Sequence, residues 1–262
     1  MTVSILQTII ETKKKEIASL PNIMPKPASG ASFIDAILQK HPALIAEIKP
    51  RSPSEGHLLK RQDVPKLVEL YNKYAQAISV LCDQQYFGGG FDLLKQVRSI
   101  TEKPLLAKEF IISTLQIDHA VNNGANAILL IAAILSVSEL VHMASYAADL
   151  NLDVLIETHS EEDVEKTENA FNVLSNAAKK HILLGINNRD LHTLKTDIQT
   201  TGQLAPLVRK RIPDIACVIT ESGIHTKGDI EHLQRFAQGF LIGTSILQSK
   251  DPASHLTSLF PS

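Results

Sequence analysis

The chain of 262 residues has no tryptophan, only two cysteines, and almost no net charge: 26 Lys and Arg against 28 Asp and Glu leave -2. Each scarcity closes off a class. Balanced charge, with no like-charge block longer than Lys13-Lys14-Lys15, excludes the basic footprint of a nucleic-acid binder. The lysine triplet lies in a helix-like stretch and reads as a solvated face without function. Cys82 and Cys217 are far apart and each sits in an apolar run, so they read as small buried hydrophobes in a reducing compartment. The longest apolar run, Ala127 to Leu135, falls short of the roughly 18 residues that cross a bilayer. The N-terminus lacks a basic region followed by an apolar stretch and cleavage site, and a cytoplasmic protein without a membrane partner is expected. Ten histidines include no His-x-x-x-His or His-Glu-x-x-His, and pairs such as His181 with His192 stand at opposite ends of a run and loop; no metal is expected. Ser222 lies in Glu-Ser-Gly-Ile rather than in a Gly-x-Ser-x-Gly elbow, which argues against a triad hydrolase.

What is present is an apolar content of 44%, enough for a full-sized core, arranged in a repeating order. Beyond residue 40, short apolar runs alternate with segments of helical periodicity, the signature of βαβ units and a parallel sheet. Eight runs are legible: Leu44 to Ile48, Ala77 to Leu81, Pro104 to Ala107, Ala127 to Ile131, Asp153 to Ile156, Ile182 to Ile186, Ala216 to Ile219 and Gly239 to Ile242. Between them lie helical candidates such as Val64 to Ala75, with Leu67, Val68, Tyr71 and Tyr74 on one face. A doubly wound open sheet would place Gly-x-Gly-x-x-Gly after its first strand. Here that loop reads Lys49-Pro-Arg-Ser-Pro-Ser-Glu-Gly56. The expected fold is therefore an α/β, (β/α)8 TIM barrel over residues 41-262, which such barrels span as one unit of roughly 250 residues. Residues 1-40 form an N-terminal helical extension, with a helix from Ile5 to Leu20 and a Pro-rich connector from Pro21 to Ser32, and 1-262 reads as a single domain.

The carboxyl ends of barrel strands converge on one face, so the polar residues that follow the runs become neighbours. Glu47 and Lys49 alternate around Ile48 and point the same way, with Ser52 and Ser54 in the loop beyond. Lys108, Glu109 and Phe110 end the third run; Glu157 and His159 the fifth; Asn187, Asn188, Arg189 and Asp190 the sixth; Glu221, Ser222 and Gly223 the seventh; Gly243, Thr244 and Ser245 the eighth. Glycine-containing loops after strands seven and eight, the former leading through Gly223 into a helix that begins near Thr226, are the fold's usual phosphate cradle. Two lysines with three carboxylates in one mouth point to acid-base chemistry, since a lysine that is partly desolvated or near other cations sheds its proton more readily. Solvated strand-end charges explain any one of these residues, but not all five together.

Read in order, these strand ends resemble the indole-3-glycerol phosphate synthase family. The resemblance rests on Ala46-Glu-Ile-Lys-Pro-Arg-Ser-Pro-Ser54, Ile78-Ser-Val-Leu with Tyr86-Phe-Gly-Gly, Leu106-Ala-Lys-Glu-Phe110, Gly185-Ile-Asn-Asn-Arg-Asp-Leu191, Thr220-Glu-Ser-Gly-Ile224 and Phe240-Leu-Ile-Gly243, across nearly the whole chain. It implies a cofactor-free carboxy-lyase that closes and decarboxylates 1-(2-carboxyphenylamino)-1-deoxyribulose 5-phosphate to indole-3-glycerol phosphate in tryptophan biosynthesis. By resemblance Lys108 is the general acid and Glu157 the general base, Glu47 steers the hydroxyl lost later, and Lys49 faces substrate carboxylate or phosphate. Asn187 and Arg189 match the anthranilate end, and Phe87 and Phe110 an apolar wall. Glu221 and Ser222 match a seventh-strand site pair, Ser52 a substrate contact, and Gly223, Gly243 and Thr244 the phosphate site. A monomer is expected, with a pathway enzyme as the candidate partner.

Three departures accompany the match. The eighth loop reads Gly-Thr-Ser-Ile-Leu, in which Thr keeps the hydroxyl. Gly88-Gly-Gly90 replaces a common terminal Ser, which is expected to loosen that loop. Glu161 to Lys180 is longer than usual and is placed on the outer helical layer. Phosphoribosylanthranilate isomerase, another phosphate-binding barrel, would leave Lys108 and Glu157 unexplained and would want its cysteine elsewhere than Cys82. A non-catalytic phosphate-binding barrel would need the glycines but not charges at five strand ends.

Overall fold

The computed structural model describes residues 5-190, 193 and 195-261; Leu191 of the Asn-Asn-Arg-Asp-Leu motif and His192 lie outside them. Eight parallel strands close into a barrel: β1 (Ala43–Ile48), β2 (Ala77–Leu81), β3 (Leu105–Lys108), β4 (Ala127–Ile131), β5 (Asp153–Thr158), β6 (Ile182–Asn187), β7 (Val218–Glu221) and β8 (Gly239–Ile242). Closure comes from β1, which pairs with β2 on one side and β8 on the other. Helices form the outer layer, and Val64–Tyr74 buries Val64, Leu67, Val68 and Tyr71 on the face the spacing predicts. The segments Glu161–Val173 and Asn176–Lys179 are both helical and pack on the neighbouring outer helix Val137–Asp149.

Side chains alternate across each strand, and this parity decides what reaches the mouth. Ile45, Leu106, Leu155, Leu183, Ile219 and Leu241 pack together inside the barrel. Two residues further along the same inward rows stand Glu47, Lys108, Glu157, Gly185, Glu221 and Gly243. Strand boundaries differ from the apolar runs for the same reason. The seventh strand begins at Val218 instead of Ala216 and continues through Glu221, while β5 and β6 extend through Thr158 and Asn187. These polar residues stay in the ladder, with Glu157 in register with Gly185 and Asn187 with Glu221.

Two helices precede the barrel. Helix α1 (Ile5–Ser19) lies at the mouth, with Leu6 and Ile9 buried. Helix α2 (Phe33–Leu38), absent from the sequence reading, stoppers the opposite end: Phe33, Ile34 and Ile37 join the interior cluster. The Asp153 carboxylate anchors it by accepting from the Ser32 hydroxyl and the Ile34 N–H, both at 3.0 Å.

Candidate active site

A cavity of 450 Å³ opens at the carboxyl end of the barrel, lined by Glu47, Lys49, Ser54, Phe87, Lys108, Phe110, Glu157, Asn187, Arg189, Ser222, Gly223, Gly243 and Thr244, with Leu6 and Ile9 from α1. Its size suits a small phosphorylated molecule. Two expected contacts are displaced from the wall. Glu221 is fully buried against Lys108 and does not line the cavity. Ser52 is turned into its own loop, where its hydroxyl accepts the Glu55 N–H at 3.0 Å and contacts Ser54 Oγ at 3.4 Å; Ser54 takes its place at the cavity.

The charges form one chain. Lys108 Nζ lies 2.8 Å from Glu221 Oε2 and 3.3 Å from Glu47 Oε2. Lys49 Nζ lies 2.7 Å from Glu47 Oε1 and donates to Thr244 Oγ1 at 3.1 Å. Burial disfavours the Lys108 ammonium, but Glu221, Glu47 and Glu157 outweigh it and hold its pKa above the usual lysine range. The expectation of a lysine that sheds its proton readily is thus reversed: its ion pairs with Glu221 and Glu47 keep it charged. Burial also works to raise Glu47, but Lys49 and Lys108 bring it down to about 2. Glu157 differs. Burial raises it, the charge of Glu221 adds to that, and Lys108 with the Asn187 hydrogen bond only partly compensates, leaving it at about 8. Two carboxylates in one cavity are thereby held in opposite protonation states at neutral pH.

Phe87 and Phe110 stand with ring centroids 6.2 Å apart and form an apolar wall of the cavity. Arg189 donates to Ser54 Oγ at 3.1 Å, and among the described residues no carboxylate pairs with it. Its Nε also donates to Thr196 Oγ1 at 3.4 Å, which leaves the remaining guanidinium N–H groups for a carboxylate. Gly243, a candidate phosphate contact, lines the cavity, and a β-carbon there would fall 2.4 Å from Glu47 Oε1. The glycine is required to make room for that carboxylate. The Gly88 to Gly90 loop is not loosened: its N–H groups donate to Gln84, Asp83 and Leu81 carbonyls.

The lysine triplet holds the largest departure from the sequence reading. Lys13 is 1% exposed and its Nζ lies 2.6 Å from Asp83 Oδ2, 3.1 Å from Glu109 Oε1 and 2.7 Å from Glu16 Oε2. Asp83 in turn accepts the Phe87 N–H at 2.9 Å, and Glu109 the Phe110 N–H at 2.7 Å. One buried ammonium therefore ties α1 to the backbone of both aromatic walls. The signal was in the spacing: Leu6, Ile9 and Lys13 follow i, i+3, i+7 and share one helix face.

The indole-3-glycerol phosphate synthase family profile matches residues 5–259. The chain belongs to that family. Synthases of this family from Petrotoga mobilis and Priestia megaterium are 36% and 35% identical to it, covering 98% and 97% of the chain and 96% and 97% of their own lengths. A tryptophan biosynthesis protein TrpCF from Helicobacter pylori is 37% identical over 95% of the chain, which spans only 53% of that longer relative. Among solved structures, a mutant tryptophan synthase alpha-subunit from Pyrococcus furiosus superposes with a TM-score of 0.62 at 12% identity, over 85% of this chain and 99% of its own. That likeness is one of fold alone.

Proposed function

We propose that the chain is an indole-3-glycerol phosphate synthase acting on 1-(2-carboxyphenylamino)-1-deoxyribulose 5-phosphate. The observation that carries the reading is Lys108: an ammonium ion-paired with Glu221 and Glu47, in the cavity with the aromatic wall, in a chain of this family. The ring carbon that bears the carboxylate attacks the ketone carbon, and the carbonyl electron pair moves to oxygen, which takes a proton from Lys108. A fixed cation at the point where negative charge develops is the kind of stabilisation that dominates many enzymes. The bond to the carboxylate then breaks, carbon dioxide leaves, and the electrons of that bond restore the aromatic ring. Ionised Glu157 takes a proton from the methylene carbon as the hydroxyl departs with a second proton as water, guided by Glu47. The sum is consumption of one proton, with release of carbon dioxide and water.

Phe87 and Phe110 border the aromatic ring, Arg189 and Asn187 its carboxylate end, and Lys49 with Thr244 lies toward the phosphate. Gly223 supplies a backbone N–H there, and Ser222, on the wall beside it, a hydroxyl. The residues themselves supply the acid, the base and the cations, so no cofactor or metal is invoked. The extension and barrel work as one domain, because Leu6 and Ile9 complete the cavity. A monomer fits the few large apolar side chains exposed among the described residues, Met24, Leu38 and Val173. A cytoplasmic setting fits two buried free cysteines, and a pathway enzyme fits the TrpCF relatives as a partner. The test is turnover by the purified chain, followed by indole absorbance without added metal or cofactor. Absence of product from a folded sample would overturn the reading.

A further inference from the structure

Asn188 follows Asn187 in β6 and, by strand alternation, turns away from the cavity toward the helix Gln199–Arg211. It is 1% exposed and its amide is saturated. Its Nδ2 donates to Thr220 Oγ1 at 3.1 Å and to the Ser222 carbonyl at 3.0 Å. Its Oδ1 accepts from the Thr201 N–H at 3.1 Å and the Thr201 hydroxyl at 2.8 Å. Two donors and two acceptors are the whole capacity of the group. The amide cannot be turned over, because the Thr201 N–H only donates and the Ser222 carbonyl only accepts. Thr201 Oγ1 also meets Thr220 Oγ1 at 2.7 Å, which closes the ring of bonds.

The consequence falls on the next peptide. Ser222 holds φ at 68°, a left-handed conformation that a non-glycine residue adopts only when its surroundings hold it there. Its carbonyl is drawn outward to Asn188. In a planar trans peptide the carbonyl and the following N–H point in opposite directions, so an outward Ser222 carbonyl aims the Gly223 N–H inward, at the cavity that Gly223 lines. Among the described residues neither the Gly223 nor the Ile224 N–H meets an acceptor. A β-carbon at Gly223 would fall 2.6 Å from Thr196 Cγ2, so only glycine fits at this position.

We propose that Asn188, which touches no ligand, is the positioning residue of the phosphate site: it fixes the Ser222–Gly223 peptide so that the Gly223 N–H faces the substrate phosphate. The inference rests on the phosphate placement proposed above. Its test measures inorganic phosphate as a competitive inhibitor, together with KM and kcat, in wild type, Asn188→Asp and Thr220→Val. Asn188→Asp keeps both acceptors toward Thr201 and replaces the donor facing Ser222 by an oxygen that repels the carbonyl. Loss of an aligned donor to a charged group predicts an inhibition constant and KM raised by about tenfold or more, with kcat changed much less. Thr220→Val opens the ring of bonds but leaves the bond to Ser222, so its phosphate constant should stay near the wild-type value. If Asn188→Asp fails to fold, Asn188→Ala is read in the same way. A folded Asn188 variant with an unchanged phosphate constant overturns the proposal, as does a Thr220→Val that weakens phosphate equally, since that would mean general loosening. Wild-type enzyme that turns over but is not inhibited by phosphate would sink the phosphate placement itself, and the inference with it.

Discussion

At the scale of single residues the site is a set of charges that hold one another's protonation. Removing Lys108 therefore does more than delete a proton donor. Lys108→Met leaves Glu221 and Glu47 with like charges and one fewer counter-ion, an uncompensated burial that costs about 3 kcal/mol in comparable cases. The variant should lose turnover by on the order of 10²–10⁴-fold and should also melt earlier at pH 8. Because low pH reduces the repulsion between carboxylates in general, the melting gap to wild type should narrow as pH falls toward 5. Equal gaps at both values would mean that the lysine is not their counter-ion. Glu157 makes a separate prediction. Its pKa, raised by burial to about 8, keeps the carboxyl protonated below that value, so the base form appears only as pH rises. The kcat/KM profile should climb through a pKa near 8, and Glu157→Gln should abolish that limb while leaving substrate affinity little changed. A wild-type profile flat from pH 6 upward would hand the base role to another group.

At the scale of elements, α1 is held by a buried ion pair as well as by apolar contact. Lys13→Met preserves length and removes the charge that Asp83 and Glu109 share. Breaking such a pair typically costs 3–5 kcal/mol, and the variant should become sensitive to protease within residues 20–32. KM should rise more than kcat falls, since α1 contributes cavity wall through Leu6 and Ile9 but no proton donor or acceptor. Unchanged proteolysis and KM would mean that packing alone holds the helix. Lys13 also marks the limit of what the sequence revealed. The eight strands were legible from apolar runs, and Glu47, Lys108, Glu157, Asn187 and Arg189 from the ends of those runs, because strand alternation forces such residues to one face. Contacts between distant segments were not legible. Nothing near Lys13 in the chain announces Asp83 or Glu109, nothing near Gly243 announces the carboxylate of Glu47, and α2 is six residues long, too short for periodicity to register.

At the scale of the whole molecule, every residue assigned a role lies within a chain that covers about half of its TrpCF relatives and nearly all of the shorter synthases. The isolated chain should therefore be active, and should elute as a monomer whose turnover per chain does not depend on concentration. A specific activity that rises with concentration would mean that a second copy completes the site. One feature of the barrel also bears on the order of events. With α2 wedged into the lower end through Phe33 and Ile37, the barrel is a blind well. Whatever enters must leave by the same doorway, past Leu6 and Ile9, and the well cannot refill until the product of the proposed reaction has gone. Product should thus exclude substrate in a strictly one-for-one way, raising the apparent KM without touching the maximal rate. In the proposed reaction carbon dioxide, formed beside the aromatic wall, has to escape upward around a product that still fills the well.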